Sequence, residues 1–398
     1  MRLDFERLKL QIDSLSIFAA LKCDDVIASL RELLDALANE RPADETVALY
    51  SRLVSHLYPV SSDLGEYVTR LVTEDDNFYI KTKAAGRQVS ESIHRALKQE
   101  LSILQNIAML PCETVREAMG YDDFLPVWEN GRQDIEYEFS KRLQTIGKTG
   151  YGIYAKYHFF RIENGKIVPI QHPEYQTLDQ LFEYRRERDL IMRNTQALLD
   201  GTGASNVLLY GDAGTGKSST IKAVAAHFAP NGLRIIEAKK NQLYQIPALM
   251  EELSANPLKF ILFIDDLSFM GNDDNFSALK ATLEGSISGK GSNVAIYATS
   301  NRRHLVKESF TDRAGDELHA NDTLQETMSL AARFGLTITF QKPDKDDYLS
   351  IVGSLAKEYG VEMDEKELFT RAEAFAIRKN GRSPRTAKQF IELLKIGL

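Results

Sequence analysis

The stretch NVLLYGDAGTGKSSTIKAVAA, residues 206–226, decides the fold of this 398-residue chain. An apolar strand leads into a loop from Gly211 to Ser218 that matches G-x-x-x-x-G-K-[ST], and a helix follows directly. The glycines of such a loop let backbone N–H groups converge on phosphate oxygens, and the start of the helix adds its positive dipole end. A chance match within a loop is the alternative, but it does not account for the strand before and the helix after. The stretch therefore predicts a phosphate-binding loop.

Two side chains of this loop suit nucleotide chemistry. Lys217 is placed to reach β- and γ-phosphates, and Ser218 is placed to coordinate Mg²⁺. We expect Lys217 to face solvent when no ligand is bound. The residues expected to contact the phosphates are Gly211, Asp212, Ala213, Gly214, Thr215, Gly216, Lys217, Ser218 and Ser219.

A second apolar strand, ILFIDDLSF (261–269), ends on two adjacent acids. A phosphate-loop enzyme needs a second strand whose carboxyl end delivers an acid to the metal, and Asp265 is assigned that role. Asp266 is then placed to orient or deprotonate a water aimed at the γ-phosphate, because consecutive residues at a strand end point to different sides. Capping of the following turn or helix is the structural alternative for Asp266.

Two further polar side chains adjoin strand-like runs. Asn301 ends NVAIYATSN, and its amide is placed to hold the attacking water or the γ-phosphate from a strand between the loop strand and the acid strand. Capping of a turn is its alternative. Arg333, within ETMSLAARFGLTITF, precedes a fourth strand at the edge of the sheet, from which an arginine can reach a neighbouring subunit's γ-phosphate. Its alternative is a helix C-terminal cation beside Gly335.

The first 150 residues differ in character from the rest. They read as successive amphipathic helices, clearest in residues 24–40, where Val26, Leu30, Leu33, Leu34 and Leu37 share one face. They carry 18 Lys+Arg against 25 Asp+Glu, whereas the remainder carries 31 against 32. Nonspecific nucleic-acid binding requires Lys and Arg to neutralise phosphates, so a protein partner is the better prediction for this part.

The pattern changes along the rest of the chain. Residues 151–173 alternate aromatic and polar positions around Asn164-Gly165, which predicts a β-hairpin with a type I′ turn acting as a linker. Residues 174–342 alternate helices and apolar strands, as in a parallel α/β domain, and residues 343–398 read as three helices. The expected domains are therefore 1–150, 151–173, 174–342 and 343–398.

Composition excludes several classes of protein. With 43% hydrophobic and 27% charged residues, the chain is an ordinary soluble type, and no apolar run approaches the roughly 20 residues of a membrane helix. Neither a signal peptide nor a membrane contact is expected. Cys23 and Cys112 stand far apart in no metal-like or redox spacing, which favours a cytoplasmic location.

The order and spacing of the four motifs resemble those of AAA+ ATPases over roughly residues 174–398. The sequence is most similar to a bacterial AAA+ family named only as a domain of unknown function. The similarity lies in four segments: LLYGDAGTGKSST, FILFIDDLSF, SLAARFGL and SPRTAKQF. The resemblance implies an α/β phosphate-loop NTPase, with a parallel sheet flanked by helices, a C-terminal helical lid and an N-terminal mainly α-helical domain. It also implies ATP and Mg²⁺ as cofactors, and Arg385 as a lid arginine aimed at the nucleotide.

Two departures from the AAA+ pattern affect the site. The acid pair is Asp265-Asp266, where most members have Asp-Glu, so the second carboxylate is one methylene shorter. The segment LDQLFEYRRERDLI lacks the glycine that AAA+ ATPases usually have there. In that family the corresponding segment surrounds the adenine base. Leu178, Leu181 and Tyr184 are its candidates for contacts with the base.

Three functional hypotheses follow from the resemblance. The first is a homo-oligomer, ring or filament, that hydrolyses ATP to remodel or load a macromolecular client held by residues 1–150. The second is an ATP-gated protein-binding switch with little turnover. The third is a helicase-loader-like DNA partner, which depends on the basic cluster Arg302, Arg303, His304 and Lys307; a solvated turn is the alternative for that cluster.

Overall fold

The computed structural model describes residues 4–267, 279–280, 282–283, 293–301, 332–379 and 381–397. The chain forms two compact units, Met1–Lys156 and Tyr157–Leu398. The first unit thus continues past residue 150, through a short helix at Ile153–Lys156. The aromatic run that begins at residue 151 therefore starts as helix and becomes strand only at Phe159.

The first unit is built of helices, several of which begin at a polar cap. Asp24 accepts hydrogen bonds from the N–H groups of Val26 and Ile27, and Ser90 accepts one from Ile93. Such caps satisfy donors that have no partner inside the helix. In chain order the described helices are α1 (Phe5–Asp13), α2 (Asp25–Ala38), α3 (Ala43–Leu57), α4 (Leu64–Glu74), α5 (Phe78–Ala84), α6 (Glu91–Ala108), α7 (Cys112–Met119), α8 (Ile135–Gln144), α9 (Ile146–Thr149) and α10 (Ile153–Lys156).

The predicted apolar face of α2 lies in the core of this unit. Its five members, Val26, Leu30, Leu33, Leu34 and Leu37, are all buried. The helical period therefore predicted both the element and the side that packs, because residues three and four apart share one face of a helix.

The second unit is organised around one sheet. The described strands are β1 (Phe159–Glu163), β2 (Lys166–Pro169), β3 (Val207–Gly211), β4 (Leu233–Ala238), β5 (Lys259–Ile264), β6 (Val294–Ser300) and β7 (Leu336–Phe340). Their order across the sheet is β2-β1-β4-β5-β6-β3-β7, with β1 and β2 antiparallel and all other neighbours parallel.

This strand order confirms the predicted fold class. The asparagine strand β6 lies between the loop strand β3 and the acid strand β5, and β7 lies at an edge of the sheet. Because these strands are parallel, their carboxyl ends meet at one edge of the sheet, where ligands bind in α/β folds. The unit is an α/β domain in which a mainly parallel sheet is flanked by helices and the phosphate-loop motif follows β3.

The predicted hairpin forms, but its assignment as a linker was wrong. Asn164 and Gly165 both have positive φ, 50° and 77°, as a type I′ turn requires, and β1 pairs with β2 from Phe160 to Glu163. Phe159 is buried, and it pairs with Ile235 of β4. The hairpin therefore extends the sheet as its first two strands, because an apolar strand gains more from that edge than from solvent.

Helices cover this sheet and form the C-terminal lid. The described ones are α11 (Arg185–Asp200), α12 (Lys217–Phe228), α13 (Ile246–Ser254), α14 (Lys345–Tyr359), α15 (Glu365–Arg378) and α16 (Pro384–Lys395). The last three share a core of their own that includes Tyr348, Ile351 and Phe390. Among the described residues, no helix combines the length and the apolar character that crossing a membrane requires.

Candidate functional site

The phosphate loop begins at a glycine that the fold requires. Gly211 has φ +140°, and a Cβ built there would lie 2.0 Å from the carbonyl oxygen of Phe340 at the end of β7. The backbone of the loop strand is thus pressed against its neighbour with no room for a side chain. At the other end of the loop, Gly216 (φ +90°) precedes α12, which begins at Lys217. The loop is therefore held between a strand end and a helix start.

Gly211→Ala is expected to lower the free energy of unfolding by about 3 kcal/mol or more, because the new methyl group adds a backbone clash to the cost of an unfavourable φ. The matched control is Gly203→Ala: Gly203 also has positive φ, 97°, but nothing lies within 4 Å of its Cβ position. Thermal unfolding of both variants separates the two effects. Equal losses would show that the contact with Phe340 does not matter.

Lys217 is buried rather than solvent-facing, so the sequence expectation was wrong. Its side chain is 5% exposed, and Nζ donates to the carbonyl oxygens of Gly211 (3.0 Å) and Asp212 (2.7 Å) and to Oδ1 of Asn301 (3.0 Å). The loop curls around the ammonium group and satisfies it. Burial lowers the pKa of Lys217, and the nearby carboxylates, Asp212 foremost, oppose that shift.

The first acid is hydrogen-bonded to the helix after the loop, α12, and to the neighbouring strand β6. Oδ1 of Asp265 accepts from the hydroxyl of Ser218 at 2.6 Å and from that of Thr299 at 2.5 Å. The backbone N–H of Asp266 adds a longer contact of 3.2 Å to the same oxygen. These contacts place the predicted metal ligands, Ser218 and Asp265, side by side.

The second acid occupies an unusual backbone conformation. Asp266 has φ +51°, in the left-handed region that Asp and Asn tolerate better than most residues. Its N–H donates to Oγ1 of Thr299 at 2.9 Å, and its Oδ1 accepts from Nδ2 of Asn301 at 2.9 Å. This conformation gives a physical reason for aspartate here, because a residue other than Asp, Asn or Gly would have a higher conformational energy at this positive φ.

Asn301 connects the lysine to the second acid. One end of its amide accepts from Lys217 and the other donates to Asp266, so the three side chains form one chain of hydrogen bonds. The structure thus brings together the loop lysine, both acids and the predicted asparagine, as the strand order requires.

The lid closes over the loop through backbone contact. The N–H of Arg385 donates to the carbonyl oxygen of Gly214 at 3.2 Å. Gly214 has φ +80°, and a Cβ there would lie 3.1 Å from Cβ of Arg385 and from Oγ of Ser383. Ser383 in turn caps α16 by accepting from the N–H of Thr386. The predicted lid arginine therefore stands at the start of a capped helix against the phosphate loop.

A cavity of about 520 Å³ lies between the loop and the lid. Its polar part is formed by the loop residues 213–219, the two acids, Asn301 and Arg385. Its apolar part includes Leu181 and Tyr184 before α11 and Ile351 and Leu355 on α14. A charged pocket joined to an apolar one suits a molecule with phosphates at one end and a ring at the other.

Two of the three candidates for base contacts line this cavity. Leu181 and Tyr184 do, whereas Leu178 packs into the core of the sheet. The Tyr184 hydroxyl donates to the carbonyl oxygen of Gln341 at 2.6 Å, and its ring stacks on Phe340 at 5.0 Å between centroids. Burial raises the pKa of Tyr184, so the hydroxyl keeps its proton and remains a donor.

The remaining predicted arginine is not among the described residues that line this cavity. Arg333 is half-buried just before β7, and the described lining residues do not include it. Its action on a neighbouring subunit stays a prediction. The basic cluster 302–307 and most of the helical segment before Arg333 lie outside the described residues.

One protein-family model matches the chain. The family described as "Protein of unknown function (DUF815)" matches residues 154–397, which is more than half of the chain. The chain belongs to this family. The sequence prediction of a family named only as a domain of unknown function is confirmed, and the match covers the whole sheet, the phosphate loop and the lid of this DUF815 member.

Other comparisons add little. No curated protein matches the chain. Among solved structures, the AAA domain of FIGL-1, crystallised in complex with ADP, is similar over 57% of this chain and 75% of that chain, at 14% identity and a TM-score of 0.40. The fold assignment of this DUF815 member rests on its strand order and not on that similarity.

The donor set of the DUF815 chain fits Mg²⁺ held together with a nucleotide. Ser218 and Asp265 offer one hydroxyl and one carboxylate, and Mg²⁺ commonly takes one or two carboxylates together with substrate phosphates and water. Among the described residues, no three His, Cys, Asp or Glu side chains gather as a metal site. An ion here would therefore depend on phosphate oxygens, where it would neutralise their charge.

Sequence reasoning missed several residues of this site, Thr299 and Lys388 among them. Thr299 contacts both acids and lies in β6, two positions before Asn301, which directly follows that strand; alternate residues of an extended chain point to the same side. Lys388 lines the cavity three residues after Arg385, which is one helical turn further along α16. In both cases the spacing from a predicted residue was the available signal.

Proposed function

We propose that this chain is an AAA+ type ATP-binding protein that hydrolyses ATP to ADP and phosphate in an oligomer and thereby remodels or loads a macromolecular client. The proposal rests on one observation: Lys217, Asn301 and Asp266 form a continuous hydrogen-bonded chain beside the Ser218–Asp265 pair, at the mouth of a cavity of about 520 Å³. This arrangement combines a loop lysine, a pair of oxygen donors for Mg²⁺ and a carboxylate beside an amide for water, which are among the groups that phosphoryl transfer to water uses.

The roles follow from charge and position. Lys217 and Arg385 carry the positive charge that faces the phosphates, and the N–H groups of the loop add further donors. Asp266 acts as the base toward water. Asn301 donates to the Asp266 carboxylate at 2.9 Å, and from that position its amide holds the water. The lid and the loop both line one cavity, so a nucleotide bound there contacts both. Loss of the γ-phosphate removes some of these contacts and changes the position of the lid relative to the loop.

The proposed partners are a second copy of the chain and a protein client. Arg333 acts across the boundary between subunits of a ring or filament, toward the neighbour's γ-phosphate. The first unit receives the client, and its excess of acidic residues favours a protein over nucleic acid. We propose a cytoplasmic location, which the wide spacing of Cys23 and Cys112 in the sequence favours.

An ATP-gated switch with little turnover is the second candidate. One observation favours it: the Asp266 carboxylate already accepts from Asn301, and its backbone is held at φ +51°. A carboxylate that stays in this contact cannot accept a proton from water as readily. The two candidates differ in turnover and not in binding.

The deciding experiment is the steady-state ATPase rate against protein concentration, with Mg²⁺ and with EDTA. Hydrolysis in an oligomer predicts a Mg²⁺-dependent rate per subunit that rises with concentration, because each site then gains its neighbour's arginine. Tight ATP binding without turnover at any concentration would select the switch. Absence of ATP binding by calorimetry would overturn both.

Arg333 is tested by mixing two inactive proteins. Arg333→Ala and Lys217→Ala are each expected to be nearly inactive, whereas an equimolar mixture should recover activity at about one interface in four, where an intact loop meets an intact arginine. The control mixture is Lys217→Ala with Asp265→Asn, in which every site retains a defect of its own. Failure of the first mixture to recover activity, despite co-assembly shown by light scattering, would give Arg333 a local structural role.

A further inference from the structure

Thr299 is a buried residue of β6 that contacts both acids of the site. It is 2% exposed, and its hydroxyl donates to Oδ1 of Asp265 at 2.5 Å while accepting from the N–H of Asp266 at 2.9 Å. Its carbonyl oxygen accepts from the N–H of Leu267 at 2.7 Å. One residue thus binds three consecutive positions of the acid segment.

The sheet alone does not hold that segment. The paired register of β5 and β6 ends at Ile264 and Ala298, and the left-handed backbone of Asp266 follows immediately. Beyond that point the hydroxyl of Thr299 takes the N–H of Asp266, and its carbonyl takes that of Leu267. Since both acids are exposed, packing does not fix their side chains, and hydrogen bonds must.

We propose that Thr299 is a positioning residue for the two acids: it fixes Asp265 toward the Mg²⁺-nucleotide and Asp266 toward water. The inference rests on the proposed function and deepens it. Oδ1 of Asp265 accepts from two hydroxyls, those of Ser218 and Thr299, and only the first belongs to the predicted metal-ligand pair. If Ser218 turned its oxygen toward a bound Mg²⁺, the hydroxyl of Thr299 would still hold the Asp265 carboxylate in place.

The test uses variants that differ by the hydroxyl. Thr299→Val replaces it with a methyl group of similar size, and Thr299→Ser keeps it. The first readout is the affinity for a fluorescent ATP analogue in EDTA and in Mg²⁺, which needs no turnover; the second is kcat. Removing a group that orients a metal ligand typically costs about 10- to 100-fold in metal affinity or activity. For Thr299→Val we expect the affinity for the ATP analogue in EDTA to be unchanged. The increase in that affinity on adding Mg²⁺ should be smaller by about tenfold or more, and kcat should fall by a similar factor.

Thr299→Ser is expected to retain the parent's Mg²⁺ dependence and kcat within about threefold, because its hydroxyl can make both hydrogen bonds. Thr195→Val is the matched control: Thr195 is fully buried, and its hydroxyl contacts Tyr297 and the carbonyl oxygen of Ile191, away from the site. It should lower the Tm without changing the Mg²⁺ dependence. Thr299→Ala is a second variant without the hydroxyl, and it should behave as Thr299→Val does.

The outcomes separate the inference from the proposed function. If the parent hydrolyses ATP and Thr299→Val or Thr299→Ala keeps its Mg²⁺ dependence and kcat, the inference is overturned and the proposed function stands. A merely structural role would lower the Tm of the Thr299 and Thr195 variants alike and leave the nucleotide readouts unchanged. A parent that binds no ATP in either buffer overturns the proposed function and this inference with it.

Discussion

Lys217→Ala is expected to lower the affinity for ATP by roughly ten- to a hundredfold. Lys217 lines the cavity where the phosphates are expected, and its Nζ lies 3.0 Å from Oδ1 of Asn301. A hydrogen bond to a charged group contributes about 1.5–3 kcal/mol, and each 1.4 kcal/mol is about a factor of ten in Kd. Isothermal titration calorimetry with ATP and with ADP measures the loss directly.

The burial of Lys217 requires controls for folding. Lys217→Met keeps most of the aliphatic stem but removes the charge and the three hydrogen bonds of Nζ, so its Tm is measured beside its ATP affinity to separate a loss of stability from a loss of binding. Lys222→Ala, on the same helix but outside the phosphate loop, should leave ATP affinity unchanged. If Lys217→Met binds ATP as tightly as the parent, the assignment of the phosphate loop is wrong.

The fold was predictable because its signals are local and periodic. Residues 206–226 identify strand, loop and helix together, and the polar residues that follow the apolar runs identify the ends of two more strands. Parallel strands place such ends at one edge of a sheet, so Ser218, Asp265 and Asn301 were expected to meet. In the structure, Ser218 contacts Asp265, and Asn301 contacts Lys217 and Asp266.

Features that depend on packing between distant segments could not be predicted. The burial of Lys217 depends on Asn301, which is far away in the sequence. The hairpin joins the sheet through Phe159 and Ile235, a pairing that alternation within the hairpin does not encode. The left-handed backbone of Asp266 likewise depends on contacts with Thr299. Sequence patterns report which face is apolar, but not which partner covers it.

Asp266→Asn is expected to abolish turnover while leaving the binding of ATP and Mg²⁺ intact. A positioned general base contributes about 10²–10⁴-fold to a rate, and an amide cannot take the proton. The substitution is geometrically mild: Asn tolerates the φ of +51° at this position, and its Oδ1 can still accept from Nδ2 of Asn301. Single-turnover hydrolysis and calorimetry on one preparation measure both quantities.

The contrast with Asp265→Asn makes the expectation sharp. That change removes charge from the predicted Mg²⁺ ligand, so the gain in ATP affinity from Mg²⁺ should fall as well as the rate, whereas Asp266→Asn should lose only the rate.

A variant that holds ATP without cleaving it should also stabilise the ATP-bound oligomer and retain its client, since a ligand that binds one state favours that state. If Asp266→Asn hydrolyses ATP as fast as the parent, Asp266 is not the base. If the parent, assembled and saturated with Mg²⁺, binds ATP without turnover, the remodelling function gives way to the ATP-gated switch.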